Sequence, residues 1–480
     1  MQRKFFLSLF ILILVNLLVK PVSLFVVDAG FQNKLGHEEY GLYFSLLNFS
    51  LLFNILLDFG INNFTTRRVA QNPQKAKKLF GVIFTFRFLL FIFYLILTLF
   101  LGFVIGYREE AILVLFLLGV NQFIIIGIAY FRSHFAGFHY FILDALLSVL
   151  DRFLLILIGC YILFVYAESN PITIIDFVYI QLITYIVSFV VALVLFIKFI
   201  DTPRFVWNFK LSMAILKRSI PYAILIVLML FYSRIDSVML ERMHSDGAEQ
   251  TGIYAQGYRL LDAFYMFGML FAGLLFPMFS RGLKQDNISI YALLKSSGNL
   301  LVGGALLLAF ISAYNGEFIL NLVYQDYYDA VFPFEWLMFS FVAICMNFIF
   351  GTLLTASGDL KVLIWISFLG IIINVSLNSY FIPKHGANAT AVVAFITHSF
   401  TALCQCVYAV VRFSIPFTKW EVLKYPTLIL LLFIFSEFAL DTPNFIFSQL
   451  MFGTVLLFLL SFINIRNIKE IILFKSDKIN

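Results

Sequence analysis

Residues 79–101 read LFGVIFTFRFLLFIFYLILTLFL, an unbroken apolar run whose one charge is Arg87. As a helix rising 1.5 Å per residue it is about 34 Å long, enough to cross a hydrocarbon core about 30 Å thick. Outward from it, similar runs lie near 5–27, 41–59, 111–131, 141–166, 174–198, 220–240 and 252–279, then near 292–313, 331–355, 361–382, 387–411, 424–440 and 445–465. The chain is 62% hydrophobic and 12% charged, with a mean hydropathy of +0.97. Soluble domains are about 45–50% apolar and about 25% charged. A water-soluble protein is excluded, and an all-α polytopic membrane protein of about 14 transmembrane helices is expected.

The net charge of +6 does not point to nucleic acid, because the basic residues fall between the apolar runs. With the N-terminus inside, the cytoplasmic segments hold 24 of the 33 Lys and Arg, among them Arg67, Arg68, Lys75, Lys77, Lys78, Arg204, Lys210, Lys217 and Arg218. The outer loops hold four, Lys34, Arg108, Arg242 and Lys384. Such a bias orients the chain with both termini cytoplasmic. Arg3 and Lys4 precede a first run too long for the apolar core of a signal peptide, so an uncleaved first span is expected.

The four cysteines, Cys160, Cys345, Cys404 and Cys406, all lie in apolar runs and read as packing residues. No zinc spacing, nucleotide-binding glycine loop or cofactor motif is present. No loop is much longer than about 20 residues, which leaves no room for a soluble catalytic domain. His398 alone of the six histidines lies well inside a run, where a packing role is expected. A transporter without cofactor or metal fits better than a membrane-embedded polymerase or ligase.

A repeat organises the chain. Gly36-His-Glu-Glu-Tyr40-Gly41-Leu-Tyr43 follows the first span, and Gly247-Ala-Glu-Gln-Thr251-Gly252-Ile-Tyr254 follows the seventh. Both carry Gly-x4-Gly-x-Tyr at an offset of 211 residues, where glycine permits a sharp outer turn. A weaker pair follows the fourth and tenth spans: Ala136-Gly137-Phe-His-Tyr140 and Ser357-Gly358-Asp-Leu-Lys361. Six spans per repeat is even, so the repeats are parallel, with a substrate site between them near the midplane. The expected organisation is an N-terminal six-helix lobe (1–200), a C-terminal six-helix lobe (201–415) around a central cavity, and two further helices with a tail (416–480).

The stretch Gly36 to Asp58, the run Ser233-Arg234-Ile-Asp236-Ser-Val-Met-Leu240 and the turn Gly247…Gly252-x-Tyr254 resemble the polysaccharide-biosynthesis flippases. These are the Wzx-type O-antigen transporters of the multidrug/oligosaccharidyl-lipid/polysaccharide exporter superfamily. The resemblance spans roughly residues 1–415. It implies a bacterial inner-membrane protein that flips an undecaprenyl-pyrophosphate-linked oligosaccharide outward by alternating access. The two last spans resemble the extra helices of a related member, the peptidoglycan precursor flippase. A multidrug or cation antiporter of the same superfamily is the alternative.

Five basic residues remain inside the spans: Lys20, Arg87, Arg152, Arg234 and Arg259. Each costs roughly 2.5–3.5 kcal/mol at a bilayer centre, so lipid-facing positions are excluded. They are expected to bind substrate, because guanidinium groups offer planar, bidentate donors to phosphate, while Arg87 and Arg259, near span ends, read equally as snorkelling or structurally paired. Arg152 and Arg234, one from each lobe, with Lys20 and Arg87, are expected to hold the headgroup, and Lys20-Pro21 to bend the first helix. Arg259 and Asp262 are three apart and can pair on one helix face. Asp151 and Arg152 are adjacent and are expected to point apart, whereas Asp144 and Asp151 are expected to share a face. Asp58, Asp144, Asp236 and Asp262 read either as structural pairs or as proton- or sodium-coupling sites. Partners are then the lipid-linked oligosaccharide and membrane lipids, and a monomer suffices.

Overall fold

One residue makes the first reversal of the chain. The computed structural model describes residues 16–462 apart from 17, 63–64, 67–68, 70–75, 169, 201, 203–205, 286 and 440–444. The start of the first span and the basic residues Arg67, Arg68, Lys75 and Arg204 thus lie outside the described residues. The first span continues as helix through Leu35, past Val27 where the apolar run was expected to end. Polar residues in this extension find partners: Asp28 accepts from the Tyr40 hydroxyl at 2.7 Å, Gln32 donates to the Gly252 carbonyl at 2.9 Å, and Asn33 donates to the Val323 carbonyl at 2.9 Å. Gly36 then takes φ 78° and ψ 177°, and helix resumes at once. The loop expected between the first two spans is therefore a single glycine, whose missing Cβ permits the left-handed φ.

Ser23–Asp28 forms a π-helical turn just beyond Lys20-Pro21. Proline has no N–H to give the preceding turn, and a local π adjustment is one way a membrane helix re-satisfies the backbone groups so freed.

The chain folds as two compact units, Met1–Gly252 with Val323–Gln325, and Ile253–Leu322 with Asp326–Asn480. In the first, the helices are α1 (Ala29–Leu52), which joins the end of the first span to the second across Gly36, then α2 (Ile55–Asp58), α3 (Ala76–Ile105), α4 (Glu109–Gly137), α5 (Phe141–Leu147), α6 (Leu150–Phe164), α7 (Ile174–Phe199) and α8 (Phe209–Met243). Phe80, Tyr130, Phe131, Phe135 and Phe196 form a buried aromatic core, with Phe80 and Phe196 4.2 Å apart. Helix α7 begins with a reciprocal cap between Thr173 and Asp176. Helix α8 packs along α1. Its end is tied in where Tyr107 donates to Glu241 at 2.9 Å, beside Ser45, while Arg242 pairs with Glu241 at 2.9 Å and lies over the Tyr107 ring.

The second unit contains α9 (Gly247–Gln285) from Ile253 onward, then α10 (Asn287–Tyr314), α11 (Gly316–Asn321), α12 (Val331–Ser357), α13 (Leu360–Arg412), α14 (Lys419–Ala439) and α15 (Phe445–Leu459). Helix α13 breaks at Gly386, where φ is 51° and ψ −130°, between the two spans expected there. A polar chain holds α15: Asn315 donates to Gln449 at 2.9 Å, and Gln449 donates to Ser436 at 2.6 Å.

Among the described residues, eight helices are long and apolar enough to cross a membrane. That count takes α13 as one helix. It also omits the span expected over 141–166, which is split into α5 and α6 by a turn at Ser148 and Val149. The polytopic helical class is confirmed; the number fourteen is not fixed by these helices.

Candidate functional site

The break between α5 and α6 gathers charge. From the first span, Asn16 donates to the Ser148 hydroxyl at 2.8 Å, bringing that helix onto the break. Lys20, one turn further along, lies within electrostatic reach of Arg152, Arg132 and Asp151. Among the described residues no ion pair links Lys20 to a carboxylate. Arg152 stands in the first turn of α6, half-exposed, 3.6 Å from Asp151 and within reach of Tyr185, Asp28 and Tyr43. The neighbours Asp151 and Arg152 therefore do approach one another, because the side chains bend together at the helix start. The common face expected for Asp144 and Asp151 fails for a related reason: they lie on different helices, α5 and α6.

Arg132, absent from the expected site, lies near the end of α4 and gives its Nε–H to Asp144 at 2.7 Å. It lies just beyond the apolar run 111–131 and was counted with the loop. No sequence signal joins it to Asp144, twelve residues on, since the segment between them includes a turn.

The remaining expected residues are distributed differently. Arg87 on α3 is 3% exposed. Its Nη2 donates to Asp58 at 2.5 Å and to Asn62 at 2.8 Å, its Nη1 to the Ile126 carbonyl at 3.2 Å, and it lies over the Tyr130 ring. This is a neutralised internal pair, so both members are committed to one another. Arg234 on α8 donates to Asn48 of α1 at 3.1 Å, and Asp236 nearby is 1% exposed. Arg152 and Arg234 thus both belong to the first unit. In the second unit Arg259 and Asp262 pair at 3.8 Å across one turn of α9.

The repeated glycines serve contacts as well as turns. A Cβ on Gly41 would overlap the Ala248 carbonyl and the Gly252 nitrogen, and one on Gly252 would overlap the His37 backbone. The second glycines of the two motifs thus lie backbone to backbone. The weaker pair does not match in shape: Gly358 caps α12 at φ 87°, whereas Gly137 packs on Val69 and the left-handed residue is His139 at φ 62°.

A family model described as polysaccharide biosynthesis protein matches residues 7–283, more than half of the chain. The chain belongs to that family. No curated protein sequence matches it. Its fold is similar to that of the lipid II flippase MurJ in an inward closed conformation, with a TM-score of 0.70 at 15% identity over 97% of this chain and 99% of that one. It is also similar to a multidrug resistance MATE transporter of the MOP superfamily, inward-facing, with a TM-score of 0.63 at 14% identity over 82% of this chain and 94% of that one. A MOP superfamily transporter from Pyrococcus furiosus, described as having a binding pocket of reversed polarity, gives a TM-score of 0.53 at 14% identity over 85% and 95%. This member of the polysaccharide biosynthesis protein family is thus a multi-pass membrane protein with a MurJ- and MATE-like transporter fold. The family match covers the charged break in the fifth span and all of α8, and ends within α9.

Proposed function

We propose that this chain flips a lipid-linked oligosaccharide, with an undecaprenyl-pyrophosphate anchor of the O-antigen type, across the bacterial inner membrane by alternating access. It works as a monomer with both termini cytoplasmic. The observation that carries this reading is the meeting of Lys20 and Arg152 beside the broken fifth span, with no ion pair to neutralise Lys20 among the described residues. A pyrophosphate carries at least two negative charges that hydrocarbon excludes. An ammonium and a planar guanidinium supply charge-assisted donors to it. A cationic drug would meet repulsion there, which disfavours the antiporter. Arg234 adds a third donor along α8, and Asp236, the buried acid beside it, is the proposed proton- or sodium-coupling group. Arg87 and Asp58 serve as a structural pair, as do Arg259 and Asp262.

The test is replacement of Lys20, Arg152 and Arg234 by glutamine, with surface glycan read at matched protein level. K20Q and R152Q are expected to reduce export about tenfold or more, since each removes a hydrogen bond to a charged group worth roughly 1.5–3 kcal/mol. Normal export in both variants would end the assignment.

A further inference from the structure

We propose that Arg132 is a further ligand for a phosphate-bearing headgroup, and that Asp144 is the positioning residue that presents it. The proposal rests on the pyrophosphate reading above and adds a residue outside the apolar runs. Three facts support it.

Asp144 takes only the Nε–H of Arg132, at 2.7 Å. Among the described residues the Nη1 and Nη2 groups have no protein acceptor. A guanidinium fixed at its Nε keeps both Nη groups for a planar, two-oxygen acceptor, the geometry in which arginine grips phosphate.

Arg132 remains 30% exposed and Asp144 18% exposed, so a ligand reaches the pair without unfolding it. This differs from Arg87, whose guanidinium is consumed by Asp58, Asn62 and the Ile126 carbonyl.

Finally, Lys20 lies within electrostatic reach of both Arg132 and Arg152. Three cations from three helices, the first span, α4 and α6, thus converge on one corner. Like charges held together repel; Asp144 offsets Arg132, and Asp151, with Asp28 also in reach, offsets Arg152, while Lys20 has no ion pair of its own among the described residues. An anion bound among the three supplies the balance that Lys20 otherwise lacks. Arg132 lies near the C-terminal end of α4, whose last residue is Gly137, on the side that leads into the corner with Asp144.

The experiment measures binding to the detergent-purified full chain, using farnesyl pyrophosphate, inorganic pyrophosphate and phosphatidylglycerol as separate probes. R132Q and R132K are both expected to weaken the two pyrophosphate probes about five- to tenfold, because an ammonium cannot offer two donors in a plane. D144A is expected to weaken them by a similar factor. D144N, whose amide oxygen still accepts the Nε–H, is expected to bind as well as wild type or better. A purely structural role for the pair would make D144N fail alongside D144A. If R132K and R132Q both bind within twofold of wild type while R152Q weakens binding, the Arg132 assignment is overturned and the pyrophosphate reading survives. If the wild-type chain binds neither pyrophosphate probe, the underlying reading itself fails. Loss confined to phosphatidylglycerol would mark an ordinary phospholipid contact and also overturn the proposal.

Discussion

A charge inside an apolar helix announces itself in sequence, but its partner often does not. Arg259 and Asp262 were legible as a pair because one helical turn brings them together, and they lie 3.8 Å apart. Arg87 finds Asp58 from 29 residues away, across a reversal that no local pattern encodes. Glu421 combines both kinds of contact. The Thr418-x-x-Glu421 spacing is a capping box, with Thr418 N–H donating to the carboxylate at 2.8 Å. Lys295 at 2.5 Å and the Tyr291 hydroxyl reach the same group from α10. Burial favours its neutral form, but the donors from Lys295, Tyr291 and Thr418 outweigh that and hold the carboxyl down at about 2. The folded pKa is therefore the lower one. The stability Glu421 contributes is complete above its unfolded value near 4.3 and drains away as pH falls from there toward about 2. Thermal melting of the purified chain should fall between about pH 4.5 and 3, and E421Q should melt lower at neutral pH with a flatter acid limb. Parallel pH profiles for the two proteins would refute this account.

At the scale of elements, the repeat was readable but its purpose was only half so. Glycine at a turn is a local requirement, and Gly36 meets it. The contact between Gly41 and Gly252 exists only once two distant copies of the motif have met, so no single copy reveals it. Small residues at such crossings let helix backbones touch, which is how helices associate where water supplies no driving force. The broken fifth span was missed because its apolar pattern runs straight through Ser148 and Val149. Hydropathy reports solvent, whereas a break depends on what the backbone meets. A methyl on Gly252 meets the His37 backbone, which cannot rotate aside as a side chain would. G252A and G41A should each destabilise the chain by about 1–3 kcal/mol, seen as an earlier melt in detergent. The double variant should cost less than the sum of the two, because one contact is lost twice. G304A, where a Cβ meets nothing within 4 Å, is the matched control and should melt with wild type. Equal melting of G252A and G304A would show that the crossing is loose.

For the whole molecule, composition alone settled the class, since a chain that is 62% hydrophobic and 12% charged has no stable form in water. The family match and the MurJ-like fold agree with that class; the eight spanning helices among the described residues differ from the fourteen expected because α13 merges two runs and the runs near 5–27, 41–59, 141–166, 424–440 and 445–465 are not among them. Orientation is a separate physical question, decided by which loops the membrane potential and anionic lipids retain inside. Of the 33 basic residues 24 fall in one alternating set of segments and four in the other. The proposed even number of passes would put both ends with the basic set. A C-terminal green fluorescent protein fusion should therefore fluoresce, while a C-terminal alkaline phosphatase fusion should be inactive, because each reporter works on one side only. A phosphatase fused after Gly247 should be active, since the short turn around Arg242 and Gly247 belongs to the opposite set. An active phosphatase at the C-terminus would mean an odd number of passes, and an inactive one after Gly247 would put the two glycine motifs on opposite sides and end the even-numbered, parallel repeat.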